Sequence, residues 1–155
     1  MSAPDLKLTP ADILSSIEGL VAAESDPIAN MANIAAVLFE ALPRINWAGF
    51  YLMRGNELVL GPFQGRVACT RIAIGRGVCG TAAAERKTQR IDDVHSFPGH
   101  IACDAASASE IVVPLIRDGV VLGVLDIDSP ETARFGDEEQ TMLEQVVALL
   151  LRSGF

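Results

Sequence analysis

Cys103 lies in "GHIACDAASASE", residues 99–110, among small and polar residues, with a carboxylate downstream at Glu110. Inert intracellular cysteines usually behave as small hydrophobes inside apolar runs. A thiol placed in a loop can reach a substrate and then a partner. To attack as a nucleophile it must ionise, and an unperturbed thiol pKa of about 8.5 leaves it mostly protonated at neutral pH.

The acids that could serve such a thiol are Glu110, Asp126 and Asp128. In "GVLDIDSP", Asp126 and Asp128 project from one face of a strand ending, while Leu125 and Ile127 face the other way. Two carboxylates held close in a poorly solvated place push one pKa up, which leaves a protonated acid available at neutral pH. Asp128, just before Ser-Pro, also reads as a turn former. Asp126 falls inside an apolar strand, where a turn role does not apply. Glu110 opens the neighbouring hairpin strand, so all three acids can meet at one end of a sheet, where the Cys103 loop must attach. Trp47 and Tyr51, the single Trp and the single Tyr of the chain, share a strand face. They read either as core packing or as an aromatic wall for a small apolar or methyl-bearing ligand.

Two other motifs carry less. "GRGVCG", Gly75 to Gly80, matches GxGxxG, but the helix after it is too short for a parallel crossover. Repeated βαβ units are absent too, so the glycines read as a tight turn. His95, His100 and Cys103, with Asp104 beside them, do not have an established ligand spacing, and no metal site is expected.

Helices and a sheet must position these groups. "TPADILSSIEGLVAAES" places Ile13, Ile17, Leu20 and Val21 at helical spacing, with Thr9 as N-cap and Pro10 at the first position. "DPIANMANIAAVLFEAL" repeats the pattern, capped by Asp26 and striped with Ile34, Val37, Leu38 and Leu42. The period then becomes two. "NWAGFYLM" turns at Gly55–Asn56 into "ELVLGPF" as a hairpin. "CTRIAI" is a third strand, "GTAAAERK" a short helix and "TQRIDDV" a short strand. An irregular stretch over residues 94–108 holds Cys103, and irregular loops of that length inside a compact domain are usually functional. "EIVVPLI" and "VVLGVLDID" form a second hairpin about Arg117–Asp118–Gly119. "DEEQTMLEQVVALLLRSG" closes the chain as a helix, acidic in its first turn and with Gly154 past its end. The expected fold is α+β: a central antiparallel sheet flanked by N-terminal helices and a C-terminal helix. The expected organisation is one domain over residues 1–155, with N-terminal helices about 10–43, sheet and loops about 46–129 and the last helix about 137–152.

Composition narrows the function classes. Half of the 155 residues are hydrophobic and the net charge is −8, which describes a globular chain. No basic cluster exceeds Arg86–Lys87, so neither nucleic acid nor an anionic membrane is an expected partner. The start "MSAPDLKLTPADI" lacks the pattern of a signal peptide, and "VVALLL" at 146–151 is too short to span a bilayer. A cytoplasmic protein is expected. Three cysteines without CxxC spacing argue against a disulfide framework and a zinc cluster.

"NWAGFYL", "LGPFQGRVACTRIAIGRGVCGTAA", "GHIACDAASASEIVVPL" and "GVLDIDSP" together resemble the GAF-domain free methionine-(R)-sulfoxide reductases, over nearly the whole chain. The three cysteines together with the Glu–Asp–Asp set distinguish this resemblance from that of a generic GAF module. It implies Cys103 as the sulfoxide-attacking thiol, Cys69 as the usual resolving cysteine and Cys79 as a third able to join disulfide exchange. It further implies Glu110, Asp126 and Asp128 around the sulfoxide, with Trp47 and Tyr51 in the ligand pocket. Asp92 falls at the substrate's amino end, and the backbone about Ile101 and Ala102 at its carboxylate. The activity implied is reduction of free L-methionine-(R)-sulfoxide through a sulfenic acid and an intramolecular disulfide. The resemblance implies no bound cofactor and thioredoxin as external reductant, in a family that often forms homodimers. The rival readings are a GAF sensor that binds a small ligand without turnover and a peroxide-sensing thiol protein.

Overall fold

The computed structural model describes residues 8–99 and 106–155. Two helices open it, α1 (Pro10–Ala22) and α2 (Pro27–Ala41). Both start where the sequence has a capping residue followed by proline. Thr9 accepts from the Asp12 amide and Asp12 reaches back to the Thr9 amide, a complete capping box. Asp26 accepts from the amides of Ile28 and Ala29. In α1 the stripe of Ile13, Ile17 and Val21 is buried, whereas Leu20 is exposed, one position outside the stripe that a helix turns inward. Leu42 is buried but caps α2 in extended conformation.

The strands are β1 (Trp47–Arg54), β2 (Glu57–Gly65), β3 (Arg71–Ala73), β4 (Gln89–Ile91), β5 (Ser109–Arg117) and β6 (Val120–Ser129). They form one sheet in the order β3-β2-β1-β6-β5-β4, antiparallel at each pairing. Between β3 and β4 lies α3 (Gly77–Glu85), and α4 (Asp137–Ser153) ends the fold.

The period of two sorts the strand residues between two faces. Ala48, Phe50, Leu52, Ile111, Val113, Leu115, Leu125 and Ile127 point to one side and pack with the buried stripes of α1, α2 and α4. This is the main core, and each large side chain fully buried there contributes about 1.5–3 kcal/mol. Trp47, Tyr51, Val112 and Val124 point to the other side, against Val78, Cys79, Ala82 and Ala83 of α3. A nine-residue helix cannot cover six strands, so the end of this second face beyond α3 is left for something else.

Two glycine positions shape that face. The turn before α3 has positive φ at Gly75 and Gly77, 87° and 63°, where other residues are strained. At Gly80 a Cβ would lie 2.5 Å from the carbonyl oxygen of Ala73, so the glycine lets α3 press onto the end of β3. The helix starts three residues earlier than the apolar pattern suggests. Cys79 therefore belongs to its first turn and not to the glycine turn.

Candidate active site

Strand register assembles the acids. Across the sheet, Trp47 pairs with Asp128 and Asp128 pairs with Glu110, so the three stand in one row on the α3 side. In the next row Asp126 pairs with Gly49 on one side and Val112 on the other. Directly opposed residues of antiparallel strands share a face at close range. Glu110, Asp126 and Asp128 accordingly converge, as the alternation of "VLDIDS" and the start of "EIVVPLI" require. Gly49 leaves open the space beside Asp126, and the rings of Trp47 and Phe63 close over it, stacked with centroids 5.2 Å apart. A Cβ at Gly49 would meet Phe63 Cβ at 2.3 Å.

Cys79 comes down from α3 onto the same acids. Its thiol donates to Glu110 Oε2 at 3.9 Å. One ligand atom each of Cys79, Glu110 and Asp126 lies within 4.8 Å of the others. All three residues are buried, and Oδ1 of Asp126 is buried without a hydrogen-bond donor among the described residues. Two neighbouring carboxylates can share a hydrogen bond only when one holds a proton, and the environment here favours that proton. Burial, and next the charge of Asp126, push the Glu110 carboxyl well above the usual carboxylate range. Burial, and next the charge of Asp128, do the same to Asp126. Cys79 is pushed up by burial and then by the charges of Asp126, Glu110 and Asp128, so it is held as a thiol. The cluster thus favours neutral carboxyls and disfavours a thiolate at Cys79.

A cavity opens onto this cluster, and its wall includes Trp47, Tyr51, Cys79, Glu110, Asp126 and Asp128. Sequence reasoning missed further wall residues, namely Val67, Ala68, Ile72, Arg76, Val78 and Ser107. Arg76 is the one cation among the described wall residues, and it sits at the N-cap of α3. Its signal was present in "GRGVCG" once that motif is taken as the start of a helix. Ser107 carries no sequence signal; it arrives because the loop returns here. The amide of Val94 donates to Ala108 O at 2.8 Å, and the Ala108 amide donates to Ser129 O at 2.7 Å. Both ends of the irregular stretch are thereby anchored at the acid end of the sheet. Its first part forms a 3-10 turn, Val94–Ser96.

The two aromatics do more than line the wall. Tyr51 and Trp47 stack with centroids 5.9 Å apart. The Tyr51 hydroxyl donates to Cys69 O at 2.9 Å, and Trp47 Nε1 donates to Arg66 O at 3.1 Å. Both therefore hold the β2–β3 connection that carries Cys69. Cys69 is disulfide-bonded and Cys79 is a free thiol.

Not every expected site residue joins this constellation. Asp92 follows β4, is exposed and does not contribute to the cavity wall; its backbone carbonyl accepts from the Ala133 amide. Ile101, Ala102 and Cys103 lie outside the described residues, as do His100 and Asp104 of the histidine–cysteine stretch. Among the described residues, the group with metal-ligand chemistry is Cys79, Glu110 and Asp126.

An antiparallel sheet with one face packed on helices and the other cupped over a small cavity defines the class. The family model for the GAF domain matches residues 29–151. The chain is 56% identical over 140 residues to the free methionine-R-sulfoxide reductase of Escherichia coli, covering 90% of this chain and 85% of that protein. It is 44% identical over 149 residues to the enzyme of the same name from Saccharomyces cerevisiae, covering 91% and 83%. The structure of the Neisseria meningitidis free methionine-R-sulfoxide reductase in complex with its substrate superposes with a TM-score of 0.91 at 48% identity, covering 99% of this chain and 92% of that one. The chain belongs to the GAF-domain family of free methionine-R-sulfoxide reductases.

Proposed function

We propose that this protein reduces free L-methionine-(R)-sulfoxide to methionine, with Cys103 as the attacking thiol. The observation that carries the reading is the buried Glu110–Asp126 pair, whose carboxyls burial pushes above the usual range, set beside an aromatic wall and next to the segment that bears disulfide-bonded Cys69. The Cys103 sulfur attacks the sulfoxide sulfur while a neutral carboxyl of the cluster protonates the departing oxygen. Methionine leaves, and the oxygen stays on Cys103 as a sulfenic acid. Attack by the Cys69 thiol on that sulfenic acid releases water and forms a Cys69–Cys103 disulfide. A thioredoxin dithiol then reduces the disulfide and is itself oxidised, so two electrons pass from thioredoxin to the sulfoxide.

In this reading Trp47 and Tyr51 hold the methyl-bearing end of the substrate. Asp92 receives its amino group, and the backbone about Ile101 and Ala102 receives its carboxylate. A pocket that grips both charged ends of an amino acid leaves no room for a peptide to continue. Cys79, whose thiol is pushed up by burial and its acid neighbours, is disfavoured as a thiolate and joins disulfide exchange only secondarily. A cytoplasmic location, where a thioredoxin pool is available, and assembly as a homodimer complete the proposal.

The cysteine series tests it. Cys103→Ser should release no methionine even in a single turnover, whereas Cys69→Ser should release one equivalent and then stall. Methionine release by Cys103→Ser would overturn the assignment. Tight binding of methionine sulfoxide without any turnover in the unsubstituted protein would favour a ligand sensor.

A further inference from the structure

We propose that Cys79, Glu110 and Asp126 also form a site for one thiophilic divalent cation of the zinc class, and that such a cation closes the pocket to substrate. The three donors come from three elements, α3, β5 and β6, and their ligand atoms already lie within 4.8 Å of one another. A zinc ion binds thiolate at about 2.3 Å and carboxylate oxygen at about 2.0–2.2 Å. Ligand atoms of such an ion lie roughly 3.5 Å apart in tetrahedral geometry, so the 3.9 Å between Cys79 Sγ and Glu110 Oε2 needs only a small contraction. A mixed sulfur and oxygen set suits zinc and cobalt better than magnesium or calcium, which prefer all-oxygen shells.

The independent sign of a ligand is Asp126. The residue is 5% exposed, and its Oδ1 atom is buried without a hydrogen-bond partner among the described residues. A buried carboxylate oxygen left so is costly. A cation would satisfy it, and three neighbouring acidic groups on a single cavity wall would otherwise repel one another when ionised. The fourth coordination position would face the cavity, because all three residues contribute to its wall. A cation seated there occupies the ground on which the sulfoxide oxygen is protonated. The overlap with substrate rests on the reductase reading; the cation site itself does not.

The test uses cobalt(II) as probe, in the Cys69→Ser/Cys103→Ser double variant, where Cys79 is the one remaining thiol. Titration should raise a sulfur-to-cobalt charge-transfer band that saturates at one equivalent, is displaced by zinc and is prevented by excess methionine sulfoxide. Adding Cys79→Ser should abolish the band. Adding Asp126→Asn or, separately, Glu110→Gln should weaken binding at least tenfold, with circular dichroism and Tm checking that each variant is folded. No band, or a band unchanged in folded carboxamide variants, would overturn the proposal, as would binding indifferent to methionine sulfoxide. Turnover of the unsubstituted protein in chelator is measured in parallel. An active reductase without the cobalt band defeats the cation site alone, and a cobalt band without turnover defeats the reductase reading alone.

Discussion

Replacing Asp126 by asparagine should stabilise the fold at neutral and alkaline pH while crippling the reaction. Asp126 is buried between two other acids, and burial, followed by the charge of Asp128, raises its folded-state pKa. An unfolded aspartate titrates at about 3.9. Between that value and the folded pKa the native state holds a proton that the unfolded chain has already released. Stability therefore falls as pH rises through that window, and the loss is complete above the folded pKa. Each tenfold difference in proton affinity corresponds to about 1.4 kcal/mol. For a chain of this length 1 kcal/mol moves Tm by about 2–4 °C, so each tenfold is worth about 3–6 °C. Asparagine is close in shape and never ionises, and its amide NH2 faces acceptors on Glu110 and Asp128. The wild-type Tm should fall steadily from pH 5 towards alkaline pH, and the Asp126→Asn curve should be flatter and lie above it at pH 8. The assay is a thermal melt by circular dichroism across that range, with both proteins in the same redox state. Loss of a proton donor from the reacting centre typically costs about 10²–10⁴ in rate, and single-turnover methionine release should slow by at least about a hundredfold. Parallel Tm curves, or a variant less stable at pH 8 than at pH 5 by as much as wild type, would refute the reasoning.

Two further substitutions separate positions of the wall. Tyr51→Phe removes the hydrogen bond to Cys69 O and keeps the ring; a neutral hydrogen bond is worth about 0.5–1.5 kcal/mol. Steady-state turnover with thioredoxin should fall several-fold while the first methionine release, read by rapid quench, stays near wild type. Arg76→Met removes the one cation of the described cavity wall. As an exposed cation near the carboxylate that the backbone about Ile101 and Ala102 receives, it is worth at most about 1 kcal/mol, so KM should rise about two- to fivefold with little change in kcat.

The parts legible in the sequence were those set by local physics. Thr9–Pro10 and Asp26–Pro27 mark helix starts because a cap and a proline solve the same problem wherever they occur. Asp126 and Asp128 were placed on one face by alternation alone, and Glu110 joined them once the second hairpin was recognised. The contact of Cys79 with the acids was not legible, since it depends on how α3 docks, and that follows from the close approach at Gly80 and not from the local pattern. The roles of Trp47 and Tyr51 as donors to the Cys69 segment were equally hidden. A side chain that both buries a ring and donates from its edge reads in sequence only as apolar. Strand lengths were overread at "CTRIAI", where pairing covers only Arg71–Ala73 because Cys69 and its neighbours are held by side chains of β1.

The most direct test of the central claim is stereochemical. Purified protein is supplied with thioredoxin, its reductase and NADPH, given racemic free L-methionine sulfoxide, and the residue is resolved by chiral chromatography. Disappearance of the R form alone, with methionine formed in equal amount, is the predicted result. Survival of both forms, with thioredoxin and with dithiothreitol alike, would contradict the account and leave a GAF domain that binds without reducing.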